Sequence, residues 1–116
     1  MTPTGETHPL VDAEAVGKAT VARIHGEIDL QRSLPLQREL MTLMDRRPSR
    51  LALDLSDVPY MDSSGIASLV KIMARAKRDG VTMTLFGLGD RVRSLFEITR
   101  LDNVFTLCND QQEALE

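Results

Sequence analysis

Apolar residues in this chain are spaced first as in a hairpin and then alternately as in helices and strands. Residues 10–16, with Leu10, Val11, Ala13 and Ala15, predict a weak first strand, and Thr20–His25 a stronger second one. Gly17-Lys18 between them is a turn signal, and so short a link makes the pair an antiparallel hairpin. From Ser33 to Asp45 the period changes: Leu36, Leu40, Leu43 and Met44 share one face at about 100° per residue, which predicts a helix. Pro35 suits that helix in its first turn, where its missing N–H would have no partner anyway. Arg47-Pro48-Ser49 breaks the chain. Leu51–Leu55 then predicts a central strand, because its near-continuous apolar character suits a strand covered on both faces.

Past Pro59 and Tyr60, Asp62-Ser63-Ser64 opens a second helix reaching about Arg78, with Ile66, Leu69, Val70 and Met73 as its core stripe and Asp79-Gly80 as its stop. Val81–Phe86 alternates like a strand, and Asp90 can cap a third helix through about Ile98. Val104–Leu107 reads as a short last strand, and Asp110 opens a brief final helix. This order predicts an α/β fold, a mixed open sheet of about five strands with about four helices. The N-terminal hairpin is antiparallel, and right-handed crossovers join parallel strands after it. Residues 1–9, polar with two prolines, are expected to form a flexible tail, and residues 10–116 a single domain.

With 116 residues the chain has room for one core and not for a second. Its 42% hydrophobic and 27% charged residues are those of a water-soluble globular protein. No apolar run approaches the roughly 20 residues that a membrane-spanning helix needs, and the start has no signal-peptide pattern, so a cytoplasmic protein without a membrane partner is expected. The net charge of −3 argues against nucleic acid, which requires a concentrated basic surface. Cys108 is the only cysteine, which excludes an intrachain disulfide and a thiolate metal cluster; near Phe105 and Leu107 it reads as a small core or strand-edge residue.

His8 and His25 lack metal or triad spacing, and Gly87-Leu88-Gly89 is only half of a dinucleotide fingerprint. With no set of nucleophile, base and orienting group, an enzyme is not expected, nor is a cofactor or a metal. Lys71, Arg75 and Arg78 read as a solvated helix face.

Two segments stand apart from plain core. Gly26-Glu27-Ile28-Asp29 ends a strand with two carboxylates. Asp54-Leu55-Ser56-Asp57 leads through a loop to Met61-Asp62-Ser63-Ser64-Gly65, where a central strand runs into a helix N-terminus. Asp62 or Ser63 can cap that helix by accepting from the N–H of Gly65 or Ile66, and Gly65 would let another backbone approach its first turn. By themselves such features are most often a cap and a solvated strand end. Ser64, Ser68 and Ile72 follow one another along one flank of the helix and suggest a docking edge beside a basic strip.

In this order and spacing the segments resemble the STAS family of bacterial anti-sigma factor antagonists, over roughly residues 10–115. Gly26-Glu27-Ile28-Asp29 is similar to the family's Gly-Glu-Leu-Asp. Leu51 to Gly65 is similar to its strand-loop-helix with Asp-Ser-Ser-Gly, and Arg91–Phe96 followed by Leu101 to its third-helix pattern. The resemblance implies a binding module whose partner is an anti-sigma factor with serine kinase activity. It implies phosphorylation of the serine after the aspartate, Ser63, with Ser64 as the competing acceptor. A serine phosphatase would then restore binding. It also implies a partner-binding surface comprising Glu27, Asp29, Asp57, Asp62, Ser63, Ser64 and Gly65, to which the flank residues Ser68 and Ile72 are added. The other role open to such a domain is that of a STAS accessory subunit in a transport or other signalling complex.

Overall fold

In the computed structural model, residues 10–116 are described; the expected tail, residues 1–9, and His8 lie outside them. A sharp hairpin joins β1 (Val11–Val16) to β2 (Ala19–His25) through Gly17-Lys18. The chain then continues as α1 (Leu30–Asp45), β3 (Arg50–Asp57), α2 (Ser63–Asp79), β4 (Thr82–Phe86), α3 (Asp90–Ile98), a 3-10 turn (Leu101–Asn103), β5 (Thr106–Cys108) and α4 (Gln111–Ala114). The five strands stand in sequence order, with β1 antiparallel to β2 and every later pair parallel. In a sheet ordered this way, right-handed crossovers place α1, α2 and α3 on one face.

That face holds the main core. Leu36, Leu40 and Met44 of α1, Leu69 and Ile72 of α2, and Val92 and Phe96 of α3 pack on Ile24, Leu51, Leu53, Leu55 and Leu85 of the strands. Phe105 closes the far end edge-to-face on Phe96, with ring centres 5.4 Å apart. A smaller cluster lies on the opposite face, where Ala114 of α4 covers Val21, Ala52, Phe86 and Cys108. Cys108 is thus a buried core residue, and burial pushes its thiol above the ordinary value. The two clusters together account for the near-continuous burial of β3.

The back face is otherwise polar. Asp54, buried in mid-sheet, is pushed up by burial. Bonds from Ser56 and from Arg23 Nε, the latter at 3.0 Å, outweigh this and hold its carboxyl below the ordinary value. A Cβ at Gly87 would meet Asp54 Oδ1 at 3.0 Å, and its φ of +75° favours glycine. Packing and backbone shape therefore account for that glycine.

Several sequence readings need correction. Helix α1 starts at Leu30, not Ser33, because Asp29 caps it. Pro35 consequently lies past the first turn, where it withholds the N–H that Gln31 C=O would have received. Val70, assigned to the core stripe of α2, is exposed. The buried face is Gly65, Ser68, Leu69, Ile72 and Ala76, with Ile66 and Met73 half-buried at its edge. The last strand begins two residues late, at Thr106, because the 3-10 turn and Phe105 occupy the positions before it. Asp90 is the first residue of α3 rather than its cap, which is Gly89. Arg75 is not simply solvated: its guanidinium bonds Asp45 at 2.8 Å and Asp79 at 3.0 Å, tying the C-terminal ends of α1 and α2.

Gly65 sets how closely α2 can start to the rest of the fold. A Cβ there would stand 2.6 Å from Met61 Cγ and 2.8 Å from Ile28 Cγ2, so side chains, not another backbone, approach it. Overpacking of this kind costs about 1–3 kcal/mol, which exceeds the roughly 1 kcal/mol that alanine gains over glycine within a helix. Gly65→Ala is therefore expected to lower the urea midpoint of unfolding. An unchanged or raised midpoint would mean that Ile28 and Met61 yield freely.

Candidate functional site

The site is built where β2 and β3 leave the sheet together. Their parallel pairing does not stop at the strand ends. Gly26 N–H bonds Asp57 C=O at 3.0 Å, Ile28 N–H bonds Tyr60 C=O at 3.0 Å, and Asp62 N–H bonds Ile28 C=O at 3.1 Å. Ile28 and Met61 thus form a further bridge, with both side chains buried. One residue later each segment reaches an aspartate, and one residue after that each begins a helix. The two helix starts are consequently side by side and in register.

The aspartates do the same work in the same shape. Asp29 has φ −112° and ψ −171°, and Asp62 has φ −108° and ψ −172°. Asp29 Oδ1 accepts from Gln31 N–H at 3.0 Å and Arg32 N–H at 3.1 Å. Asp62 Oδ1 accepts from Ser64 N–H at 2.9 Å and Gly65 N–H at 3.4 Å, and also from the Ser64 hydroxyl at 2.5 Å. The Ser64 hydroxyl is the foremost reason that the Asp62 carboxyl is held below its ordinary value; partial burial opposes this, and the backbone N–H groups reinforce it. Extended backbone at the cap with a short side-chain acceptor is what the four unpaired N–H groups of a helix start require.

Ser63 and Leu30 are the first residues of the two helices. Ser63 is exposed, and among the described residues its hydroxyl makes no hydrogen bond. Ser64, in contrast, is half-buried with its hydroxyl turned back onto Asp62. Leu30 is 77% exposed, and Leu34, one turn further along α1, is 57% exposed. Tyr60, also exposed, carries the Arg91 guanidinium 5.7 Å above its ring, which brings the start of α3 to the same end of the sheet.

The residues marked in the sequence do not all meet at this surface. Glu27, Asp57 and Ser63 are exposed there, with Asp29, Asp62 and Ser64 half-buried beside them. Asp29 and Asp62 are engaged through Oδ1 with their own helices, and Asp57 is bonded to His25 at 3.0 Å, so among the described residues Glu27 is the carboxylate at this surface without such a tie. Gly65 is buried beneath the surface. The docking edge of Ser64, Ser68 and Ile72 does not exist. Ile72 is in the core, and Ser68 is buried, with its hydroxyl donating to Ser33 C=O at 3.0 Å across the α1–α2 contact. Residues 68 and 72 turn inward because the buried face of α2 is centred on Leu69, Ile72 and Ala76.

The sequence reading missed Leu30 and Leu34. The signal was present: both fall off the Leu36, Leu40, Leu43 stripe once the helix is started at Leu30. His25 was passed over for want of a metal or triad spacing; its ring bonds Asp12 at 2.7 Å as well as Asp57.

The chain matches the STAS domain family model over residues 11–114. It is 32% identical over 90 residues to the anti-sigma-B factor antagonist of Listeria monocytogenes, an alignment covering 78% of this chain and 79% of that protein. An anti-sigma factor antagonist structure from Mycobacterium paratuberculosis superposes with a TM-score of 0.83 at 24% identity, over 90% of this chain and 89% of that one. The anti-sigma factor antagonist SpoIIAA, solved in its unphosphorylated form, gives 0.75 at 20% identity over 90% and 92%. The family match over nearly all of the described residues and the identity to the Listeria protein agree with this fold, and the chain belongs to the STAS domain family.

Proposed function

We propose that this chain is an anti-sigma factor antagonist whose binding to an anti-sigma factor with serine kinase activity is released by phosphorylation of Ser63 and restored by a serine phosphatase. The observation that carries the reading is the difference between the two adjacent serines. Ser63 presents an exposed hydroxyl at a helix start with no hydrogen bond among the described residues, whereas the Ser64 hydroxyl is held by Asp62. The names of the relatives support the anti-sigma factor as partner, and SpoIIAA's being solved in an unphosphorylated form supports a phosphorylated counterpart in that protein. Among the described residues no helix is long and apolar enough to cross a membrane, which agrees with a cytoplasmic setting.

Charge bookkeeping explains why phosphate at Ser63 would act on the complex and not on the fold. A phosphoserine carries about −1.5 to −2 charges at neutral pH. Each helix start presents roughly +0.5 of a charge, and two of them adjoin here. The domain by itself therefore tolerates the added charge. A partner seated over Ser63, Leu30 and Glu27 would instead face a bulky anion in place of a hydroxyl, in a contact from which water has been removed.

The test is affinity for a cognate anti-sigma kinase. Ser63→Ala is expected to bind in the presence of ATP when the wild type has been released, and Ser63→Glu to bind poorly at all times. Equal binding by Ser63→Glu and the wild type would contradict the reading. The exposed leucines provide a second measurement. Burying one leucine contributes about 1.5–3 kcal/mol, so Leu30→Ser with Leu34→Ser is expected to weaken binding about tenfold or more with an unchanged circular dichroism spectrum. Undiminished affinity would place the partner elsewhere.

A further inference from the structure

On the back of the sheet, at its site end, one imidazole ties three neighbouring strands. His25 Nε2 stands 2.7 Å from Asp12 Oδ2 on β1, and His25 Nδ1 stands 3.0 Å from Asp57 Oδ2 on β3. A carboxylate only accepts, so both contacts are hydrogen bonds only when both ring nitrogens carry hydrogen, which is the imidazolium. A neutral ring can donate to one aspartate and must turn a lone pair toward the other.

The arrangement depends on backbone geometry that places carboxylates against the ring. Asp12 is paired with Arg23 across the hairpin, which makes His25 its diagonal neighbour on the same face. On the other side the register shifts: Arg23 stands opposite Asp54, but His25 stands opposite Asp57, so β3 carries one extra residue there. Without that residue Ser56 would face the ring. Among the described residues, the other charges near His25 are already assigned. Arg23 on β2 is paired with Asp54, and Arg32 of α1 reaches over Gly26 to donate to His25 C=O at 2.8 Å. Neither supplies a competing carboxylate or a cation in contact with the ring.

We infer that His25 is a proton-dependent positioning residue, an imidazolium strap that fixes Asp57 and thereby the loop carrying Ser63, and that loosens as the pH rises through its titration. Asp57 is the last residue of β3, its C=O receives Gly26 N–H, and the five residues after it run to the cap of α2. When the proton leaves, one of the two contacts becomes a repulsion between acceptors. Asp57, freed from a cation, then presents its charge at the edge of the site. The bonds to Asp12, foremost, and to Asp57 raise the His25 ring above the ordinary value near 6.5 against the effect of burial. The sign follows: the strap contributes fully below about 6.5 and is lost as the pH rises through the higher folded-state value. The consequence for partner binding rests on the proposed function, but the strap itself can be read on the free protein.

A pH titration of the free chain by amide and imidazole NMR tests it. The His25 ring is expected to titrate above 6.5. The amides of Asp57 to Ser63 should move with the same midpoint, and His25→Gln should abolish that midpoint while leaving the spectrum folded. A His25 ring titrating at or below 6.5, or loop amides that ignore its midpoint, would overturn the inference, as would an unaltered loop titration in His25→Gln. Asp12→Asn is expected to lower the His25 midpoint; no change would likewise count against the strap. In a complex with an anti-sigma kinase, affinity is expected to fall as the pH rises through the His25 midpoint, and an affinity that ignores that midpoint would count against the strap's bearing on the site. A wild type that binds no such kinase at any pH would refute the proposed function while leaving the strap to be judged by the free-chain titration.

Discussion

The two bonds that Ile28 makes with Tyr60 and Asp62 hold the beginnings of α1 and α2 at one level, and the rest of the site depends on that alignment. It is an extension of β-sheet pairing beyond the sheet, through a single parallel bridge with Met61. Because the bridge fixes the register, Asp29 and Asp62 cap neighbouring helices from equivalent positions, and Leu30 and Ser63 emerge from equivalent first residues. Gly65 is the packing consequence: the Ile28 and Met61 side chains that make the bridge leave no space for a Cβ above them. The residues of this region are therefore coupled by geometry as well as by sequence proximity.

This frame is held at both ends of its two helices. The first turns of both helices are satisfied by their own aspartates, and Arg75 ties the opposite ends of the same helices through Asp45 and Asp79. What remains adjustable at the surface is chemistry: a Ser63 hydroxyl with no hydrogen bond among the described residues, two exposed leucines, and Asp57, whose partner is the His25 side chain. The back face bears on the site through Asp57, so the imidazolium strap and the helix starts act on opposite ends of one short loop.

Most of the architecture was legible in the sequence because periodicity and punctuation coincide. The Gly17-Lys18 turn, the apolar run of β3 and the Gly80 stop of α2, in left-handed conformation at φ 73°, each pair a pattern with a backbone requirement. The start of α1 was misread because Pro35 looked like a first-turn residue, while the true signal, Asp29 before Gln31 and Arg32, lay inside a segment interpreted as a strand end. The same aspartate illustrates why the site was only partly readable. Carboxylates at Asp29, Asp57 and Asp62 can be marked from sequence, but what each is bonded to depends on register, a tertiary quantity. Ser68 and Ile72 failed for a related reason: a helix shows from sequence which residues share a face, and the fold decides which face is buried. The extra residue in β3 that sets Asp57 against His25 has no sequence signature at all.

The proposed switch requires that Ser63 stand on a frame that does not move when its charge changes. It is tested most directly by comparing backbone amide NMR spectra of the chain with serine and with phosphoserine at position 63. Shifts confined to the region of Gly26–Asp29 and Asp57–Ser68, where the added charge meets the two helix starts, are expected. Shifts spreading into Thr82–Phe86 of β4 and Gln111–Ala114 of α4 would contradict it, and would mean that the phosphate changes the fold and not only the surface.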